Sequence, residues 1–363
     1  MEPITERLLD LACAIQQIPA PTFHEQARAA FVREQFLSLG LSDVEVDDLG
    51  NVYGRRPGGP SLSVLVTAHT DTVFPAEMPL TLTRAPGRII GPGIGDNSLG
   101  VAGLCGLVWA LAGEALPGDL LLAANVGEEG LGDLRGMRRV VERVGARAHA
   151  IIVLEGMALG YIQVGGIGVR RYRFTARTEG GHSWLHFGRP SAIHALVRLG
   201  ARLIDLVVPH TPKTTFNIGT ISGGTSINTI AREASLDLDL RSEDPTLLAA
   251  LIARVEELAA SFNGQGVELE TQVIGNRPSG SIARDHPLVQ LAAEAAQAAG
   301  LTYTFESGST DANLPLSLGM PCVSVGLTQG GNAHRPDEYI ETRDLDKGWQ
   351  ALVNVVRGAF AIT

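Results

Sequence analysis

Cysteine is scarce in this chain. Only Cys13, Cys105 and Cys322 occur among 363 residues, odd in number, far apart and each in apolar surroundings. That usage points to core packing in a reducing compartment, and without a Cys-x-x-Cys or Cys-His pairing it offers no thiolate metal site. Long apolar runs are missing as well. The nearest, Val101 to Ala112, falls short of the ~20 residues that span a bilayer and reads as a buried helix. Met1 to Asp10 carries acids and lacks a basic segment followed by an apolar run, so no secretory signal is expected and the expected location is cytoplasmic. Positive charge is also short: 29 Lys and Arg against 39 Asp and Glu give a net charge of −10. Nucleic acid and anionic membrane surfaces are therefore poor partners. No solenoid repeat or low-complexity tract is present. The glycine-rich stretches Gly91 to Gly95 and Gly223 to Gly224 fit no phosphate-binding fingerprint, because neither a Gly-Lys-Ser/Thr nor a strand-bound Gly-x-Gly-x-x-Gly accompanies them.

The composition is that of an ordinary soluble globular protein, with 45% hydrophobic and 19% charged residues. Its length exceeds what one core usually holds, so two domains are expected. Apolar spacing predicts helices over Ile4 to Ile18 and Glu25 to Leu39. From there strands and helices alternate. Ser61 to Ala68 reads as a buried strand closed by His69, Gly100 to Ala112 as a helix, Leu120 to Val126 as a strand leading into Glu128-Glu129, Arg135 to Val144 as a helix, and Ala150 to Leu154 as a strand ending at Glu155. Pro321 to Leu327 reads as a further strand, and Leu345 to Phe360 as a last helix. Such alternation implies an α/β domain with its chemistry beyond the carboxyl ends of the strands.

Between these halves the rhythm changes. Strands over Val169 to Thr178, Thr214 to Ile221, Ala231 to Arg241 and Val267 to Ile274, with helices over Ser191 to Val208 and Pro245 to Phe262, give the β-α-β-β-α-β order of a ferredoxin-like sandwich. The expected division is a discontinuous domain of residues 1–166 and 277–363 carrying an inserted α+β domain of residues 167–276.

Five spaced fragments carry the chemistry: His69-Thr-Asp71, Asp96, Glu128-Glu129, Glu155 and His334. Each offers an imidazole or a carboxylate near a strand end. Two divalent ions about 3.5–4 Å apart need a carboxylate that bridges them, further N or O ligands on each, and a water between them. The fragments supply that set with one carboxylate left over as a base. Ordinary readings exist for each residue. His69 could be a strand-end histidine satisfied by backbone, Asp96 a turn or helix-cap residue, and Glu128-Glu129 a solvated pair.

The spelling of the fragments resembles the peptidase M20 family of co-catalytic zinc exopeptidases and deacylases. The matching stretches are Leu65-Val-Thr-Ala-His-Thr-Asp71, Gly91-Pro-Gly-Ile-Gly-Asp-Asn97, Gly127-Glu-Glu-Gly130, Val153-Leu-Glu155, Gly180-Gly-His-Ser183 and Gly331-Asn-Ala-His334, in the family's order. The resemblance implies a zinc-exopeptidase-like catalytic domain, a central mixed sheet flanked by helices, with the inserted ferredoxin-like domain as lid and dimerisation module. It implies two divalent ions per chain, zinc first with cobalt or manganese as alternatives. His69 and Glu155 would hold one ion, Glu129 and His334 the other, and Asp96 would bridge. Asp71 would orient His69 through the far ring nitrogen, and Glu128 would be the general base.

Three residues of the inserted domain join the site by the same resemblance. His182 would polarise the scissile carbonyl from a partner subunit, while Asn228 and Arg241 would contact substrate, the latter through its guanidinium fork. A turn residue and a strand-end ion pair are the plainer readings of Asn228 and Arg241. Gly308 to Asn313 resembles a small-polar loop lining the family's substrate pocket. The function expected is cleavage of a terminal peptide or N-acyl amide bond in a small peptide or N-acyl amino acid, by a homodimer. Glu rather than Asp at position 155 favours a carboxypeptidase or deacylase over a di- or tripeptide aminopeptidase, by resemblance. A catalytically silent binding or scaffold protein is the alternative outside enzymes.

Overall fold

The computed structural model describes residues 4–362, which divide into two compact units. One takes the residues up to Gly166 and those from Gly280 onward; the other is Ile167–Ser279. The second extends past residue 276 because the strand Glu268–Arg277 runs through that point. No helix among the described residues is long and apolar enough to cross a membrane.

In the first unit, nine strands form one mixed sheet. At its centre lie four parallel strands in the order Gly118–Asn125, Ser61–His69, Ala148–Glu155 and Cys322–Gly326. Antiparallel neighbours flank them, Val52–Arg56 on one side and Tyr161–Gly166 on the other. The central strands are nearly continuous apolar runs, and their alternation sorts the side chains between two helical layers. Val64, Val66, Leu122, Ile152 and Leu154 enter one core; Leu65, Leu121, Ile151 and Val153 enter the other.

The helix Leu99–Ala110 (LGVAGLCGLVWA) is buried over nearly its whole length, as a helix apolar on all sides must be. Its small residues let it lie close to the sheet. A Cβ on Gly103 would stand 2.6 Å from Leu154 Cδ2. This helix starts directly after the turn Ile94–Ser98, so its packing fixes the height of that turn above the sheet edge.

The second unit has its own four-stranded antiparallel sheet in the order Thr214–Gly223, Glu233–Ser242, Gly168–Arg177, Glu268–Arg277. The helices Ala192–Ile204 and Pro245–Ala260 pack on it around Tyr172, Phe174, Leu196, Leu199, Leu236 and Val255. Order and connections are those of a ferredoxin-like sandwich. Asp244 caps the second helix, accepting from the Thr246 and Leu247 amides ahead of Pro245 at the first turn.

Candidate metal centre

Three adjacent parallel strands end together at the carboxyl edge of the first unit's sheet. His69 closes one and lies in register with Asn125 of its neighbour, while Glu155 closes the next. Glu128 and Glu129 follow Asn125 after a two-residue link. Apolar strand interiors are held by burial, and the first polar residues past them fall at the edge where open α/β sheets bind ligands. Asp96 sits in the turn Ile94–Ser98, and the peptide linking it to Asn97 is cis. His334 lies in the loop before Tyr339–Glu341, with a left-handed φ of 64°.

The side chains converge. His69 Nε2 is 3.0 Å from Asp96 Oδ1 and 3.8 Å from Glu155 Oε2. His334 Nε2 is 3.3 Å from Asp96 Oδ2 and 3.2 Å from Glu129 Oε1. Asp96 thus turns one oxygen to each imidazole. Three groups bring their ligand atoms within 4.8 Å of one another: His69, Asp96 and Glu155; Asp96, Glu129 and His334; and His69, Glu128 and Glu129.

Buried polar residues hold this arrangement. Asp71 is fully buried, and its carboxylate accepts from the Glu128 amide at 3.0 Å, the Glu129 amide at 2.9 Å and the Thr22 hydroxyl at 2.9 Å. His69 Nδ1 lies nearer the Asp71 carbonyl, at 3.1 Å, than its carboxylate, at 3.6 Å. The Asp71 carboxylate, which the sequence suggests as the ring's partner, stays beside the imidazole and helps hold its proton while its oxygens also serve the glutamate loop. Asn97 flanks Glu155 on both sides, donating to the Leu154 carbonyl at 2.9 Å and accepting from the Gly156 amide at 2.8 Å. Gly95 is small by necessity, since a Cβ would stand 2.4 Å from Met157 Cγ.

The sequence model of peptidase family M20/M25/M40 matches residues 65–358. The chain belongs to this family, and it is a hydrolase by that membership. The acetylornithine deacetylase of Myxococcus xanthus is similar to it, 28% identical over 352 residues that cover 92% of this chain and 90% of that one. Among solved structures, a tripeptidase from Staphylococcus aureus superposes with a TM-score of 0.79 at 22% identity, covering 98% of this chain and 99% of that chain. Another is the Bacillus subtilis YXEP protein, described as a dinuclear metal binding peptidase from the M20 family. Its TM-score is 0.73 at 18% identity, with 99% of each chain covered.

The donors in this M20 chain suit divalent ions. Four-coordinate N and O donors at about 2.0–2.1 Å from one ion stand about 3.3 Å apart, and the His–carboxylate separations above bracket that spacing. Electrostatics agree. Burial pulls the His69 imidazole down, but Asp71, Asp96 and Glu155 outweigh it and hold its pKa well above the ordinary value. Hydrogen bonds to Asp96 and Glu129 push His334 up to about 10. Burial raises Glu155 well above the usual carboxylate range, against the pull of His69 and helped by Asp96 and Glu128. Asp96 goes the other way, since His334 and His69 overcome its desolvation. Crowded carboxylates that hold protons on neighbouring imidazoles are a cluster short of positive charge, which cations would supply.

His182, Asn228 and Arg241 belong to the second unit. His182 is exposed, donates its amide to His186 Nδ1 at 2.9 Å, and pairs across a two-residue ladder with Thr229. The Ser183 amide bonds the Asn228 carbonyl at 2.9 Å, which puts His182 and Asn228 at the same end of that ladder. Arg241 Nε donates to Asp239 at 2.7 Å. In the segment Gly308 to Asn313, Asp311 has no exposed surface and accepts from Asn125 Nδ2 at 2.6 Å, which braces the strand end.

Sequence reasoning passed over Asn97, Thr22 and Glu338. It also passed over Arg28, which is wholly buried. Burial lowers the Arg28 pKa to about 10, and its guanidinium donates to the Ile18 and Thr70 carbonyls. No local pattern in the sequence separates these from solvated polar residues.

Proposed function

We propose that this chain is a dinuclear metallohydrolase that cleaves a terminal peptide or N-acyl amide bond of a small peptide or N-acyl amino acid. Carboxypeptidase or deacylase action is the preferred form. The observation that carries the reading is the Asp96 carboxylate, which offers one oxygen to the His69 cluster and the other to the His334 cluster. His69, Asp96 and Glu155 would hold one ion, and Asp96, Glu129 and His334 the second; the mixed imidazole and carboxylate donors favour zinc, with cobalt and manganese as alternatives. When bound, the pair supplies a Lewis acid for the scissile carbonyl and lowers the pKa of water at the site.

Glu128 is the base in this reading. It is 7% exposed, lies beside His69 and Glu129, and has its amide fixed by Asp71. A carboxylate there takes the proton of the attacking water and returns it to the leaving amine. His182 donates to the developing oxyanion, and Asn228 and Arg241 contact the substrate. A homodimer through the second unit is supported by its edge strand Thr214–Gly223 and by the exposed apolar residues Ile193, Val197 and Ile204 on the helix Ala192–Ile204. Free thiols at Cys13, Cys105 and Cys322 support a cytoplasmic location. The acetylornithine deacetylase among the relatives supports the deacylase form over the aminopeptidase form.

The test is a turnover screen of metal-reconstituted protein against dipeptides blocked at either end and N-acyl amino acids. Turnover of amino-blocked substrates with a free carboxylate is expected. Turnover confined to substrates with a free amino end would make it an aminopeptidase, and none at all would leave a binding protein.

A further inference from the structure

Glu338 has no exposed surface and is the one carboxylate of the segment 334–341 that turns into the protein beneath Asp96. Its oxygens accept three amides at the start of the Asp96 turn: Gly95 at 2.8 Å, Asp96 at 2.9 Å and Gly93 at 3.2 Å. Its own carbonyl accepts from the Gly91 amide at 2.8 Å, and Tyr339–Glu341 continues as an antiparallel partner of Arg88–Ile90. Amides of a turn aimed at one point form an anion cradle, and here the anion is built into the chain. A buried carboxylate is costly unless its oxygens are hydrogen-bonded, and three amides serve its two oxygens.

The position of this clamp is informative. Asp96 donates its own amide to Glu338, so its Cα is fixed next to the clamp. His334 lies four residues before Glu338 on the same short loop, held in a left-handed conformation that a histidine adopts at some cost. Both donors that meet at His334 Nε2 and Asp96 Oδ2 therefore depend on Glu338 for their relative placement. His69 and Glu155 sit on strand ends and do not. We propose that Glu338 is a positioning residue that sets the Asp96 and His334 loops in register for the second metal ion; the proposal rests on the dinuclear reading above. It acts through backbone amides and touches neither ion nor substrate.

The experiment is zinc titration calorimetry on chelator-stripped protein, with the visible spectrum of the cobalt(II)-substituted protein as a second readout, for wild type, Glu338→Gln and Glu338→Ala. Gln keeps one acceptor oxygen but places an NH2 against the third amide. Outer partners of metal ligands typically govern affinity by about 10–100-fold. The second zinc should bind about 10-fold more weakly in Glu338→Gln and about 100-fold more weakly in Glu338→Ala, with an altered cobalt spectrum, while the first zinc, which shares Asp96 but keeps His69 and Glu155 on their strand ends, weakens clearly less. If Glu338→Ala does not fold, Glu338→Gln decides alone. Wild-type constants and spectrum in folded Glu338→Gln would overturn the proposal, as would equal weakening of both ions. Failure of the wild type to take two ions would instead overturn the dinuclear reading.

Discussion

At the scale of single residues, two carboxylates make separable predictions. Glu128→Gln is nearly isosteric and keeps the amide that Asp71 holds, so it should retain the fold and both ions. The amide cannot accept the water's proton, and turnover should fall by about 10²–10⁴-fold; steady-state rates at equal metal content check this, and a wild-type rate would remove Glu128 as base. Asp96→Ala should abolish both tight sites, because its two oxygens face different imidazoles. Metal analysis after gel filtration tests that, and two retained ions would sink the bridging role. The same scale shows where the sequence stops being legible. Asp337 and Glu338 are adjacent acids in Arg335-Pro-Asp-Glu338, yet Asp337 is exposed and paired with Asn332 and Arg335 while Glu338 is buried under the Asp96 turn. No local pattern separates the two; only the pairing of residues 88–90 with 339–341, remote in sequence, turns one inward. His69, Asp96 and His334 stand out in the sequence because imidazoles and short carboxylates are chemically unusual beside apolar strands and glycine-rich loops, and the structure brings the three together. Asp71 was readable as a partner of His69, but its grip on the Glu128 and Glu129 amides needed the strands side by side.

At the scale of elements, the helix Leu99–Ala110 links core packing to the site. Its Gly103 meets Leu154, the residue before Glu155, and its start follows Asp96 by three residues. Gly103→Val should overpack this contact and cost about 1–3 kcal/mol, lowering the melting temperature by about 2–4 °C for each kcal/mol in a unit of this size. Thermal melting of the metal-free protein reads the effect, and an unchanged midpoint would mean the helix does not approach the sheet this closely. Elements with strong patterning were legible: Arg135–Val144 has the bounds its spacing predicts, and the buried strands differ by one or two residues at their ends. The sequence reading assigned nothing to the helix Pro287–Ala298, whose alanine-rich face carries little periodicity. Its ends were marked all the same, by His286 accepting from Leu288 ahead of Pro287 and by Gly300 in a left-handed conformation. The strand Tyr161–Gly166 is likewise not assigned from the sequence, although Ile162 and Val164 alternate inward.

At the scale of the whole molecule, the chemistry proposed here is divided between two separately cored units. All candidate metal ligands and Glu128 lie in the first; His182, Asn228 and Arg241 lie in the second, which has its own core around Tyr172 and Phe174. Such a division allows His182 to serve its own chain or a partner's, and the two cases differ in what mixing achieves. His182→Ala lacks the oxyanion donor and Glu128→Gln lacks the base, so each homodimer should be nearly inactive. If the donor acts across a dimer, a mixed dimer contains one site that takes its base from the first variant and its His182 from the second, and that site is intact. Random exchange of equal amounts gives half mixed dimers with one working site of two, so activity should return to about a quarter of wild type, while oxyanion donors are commonly worth about 10²–10³-fold. If the donor acts within its own chain, every site in every dimer lacks one group and mixing restores nothing. Subunit exchange is confirmed by differently tagged chains, and activity that stays at the level of the separate variants after confirmed exchange assigns His182 to its own chain or to a structural role.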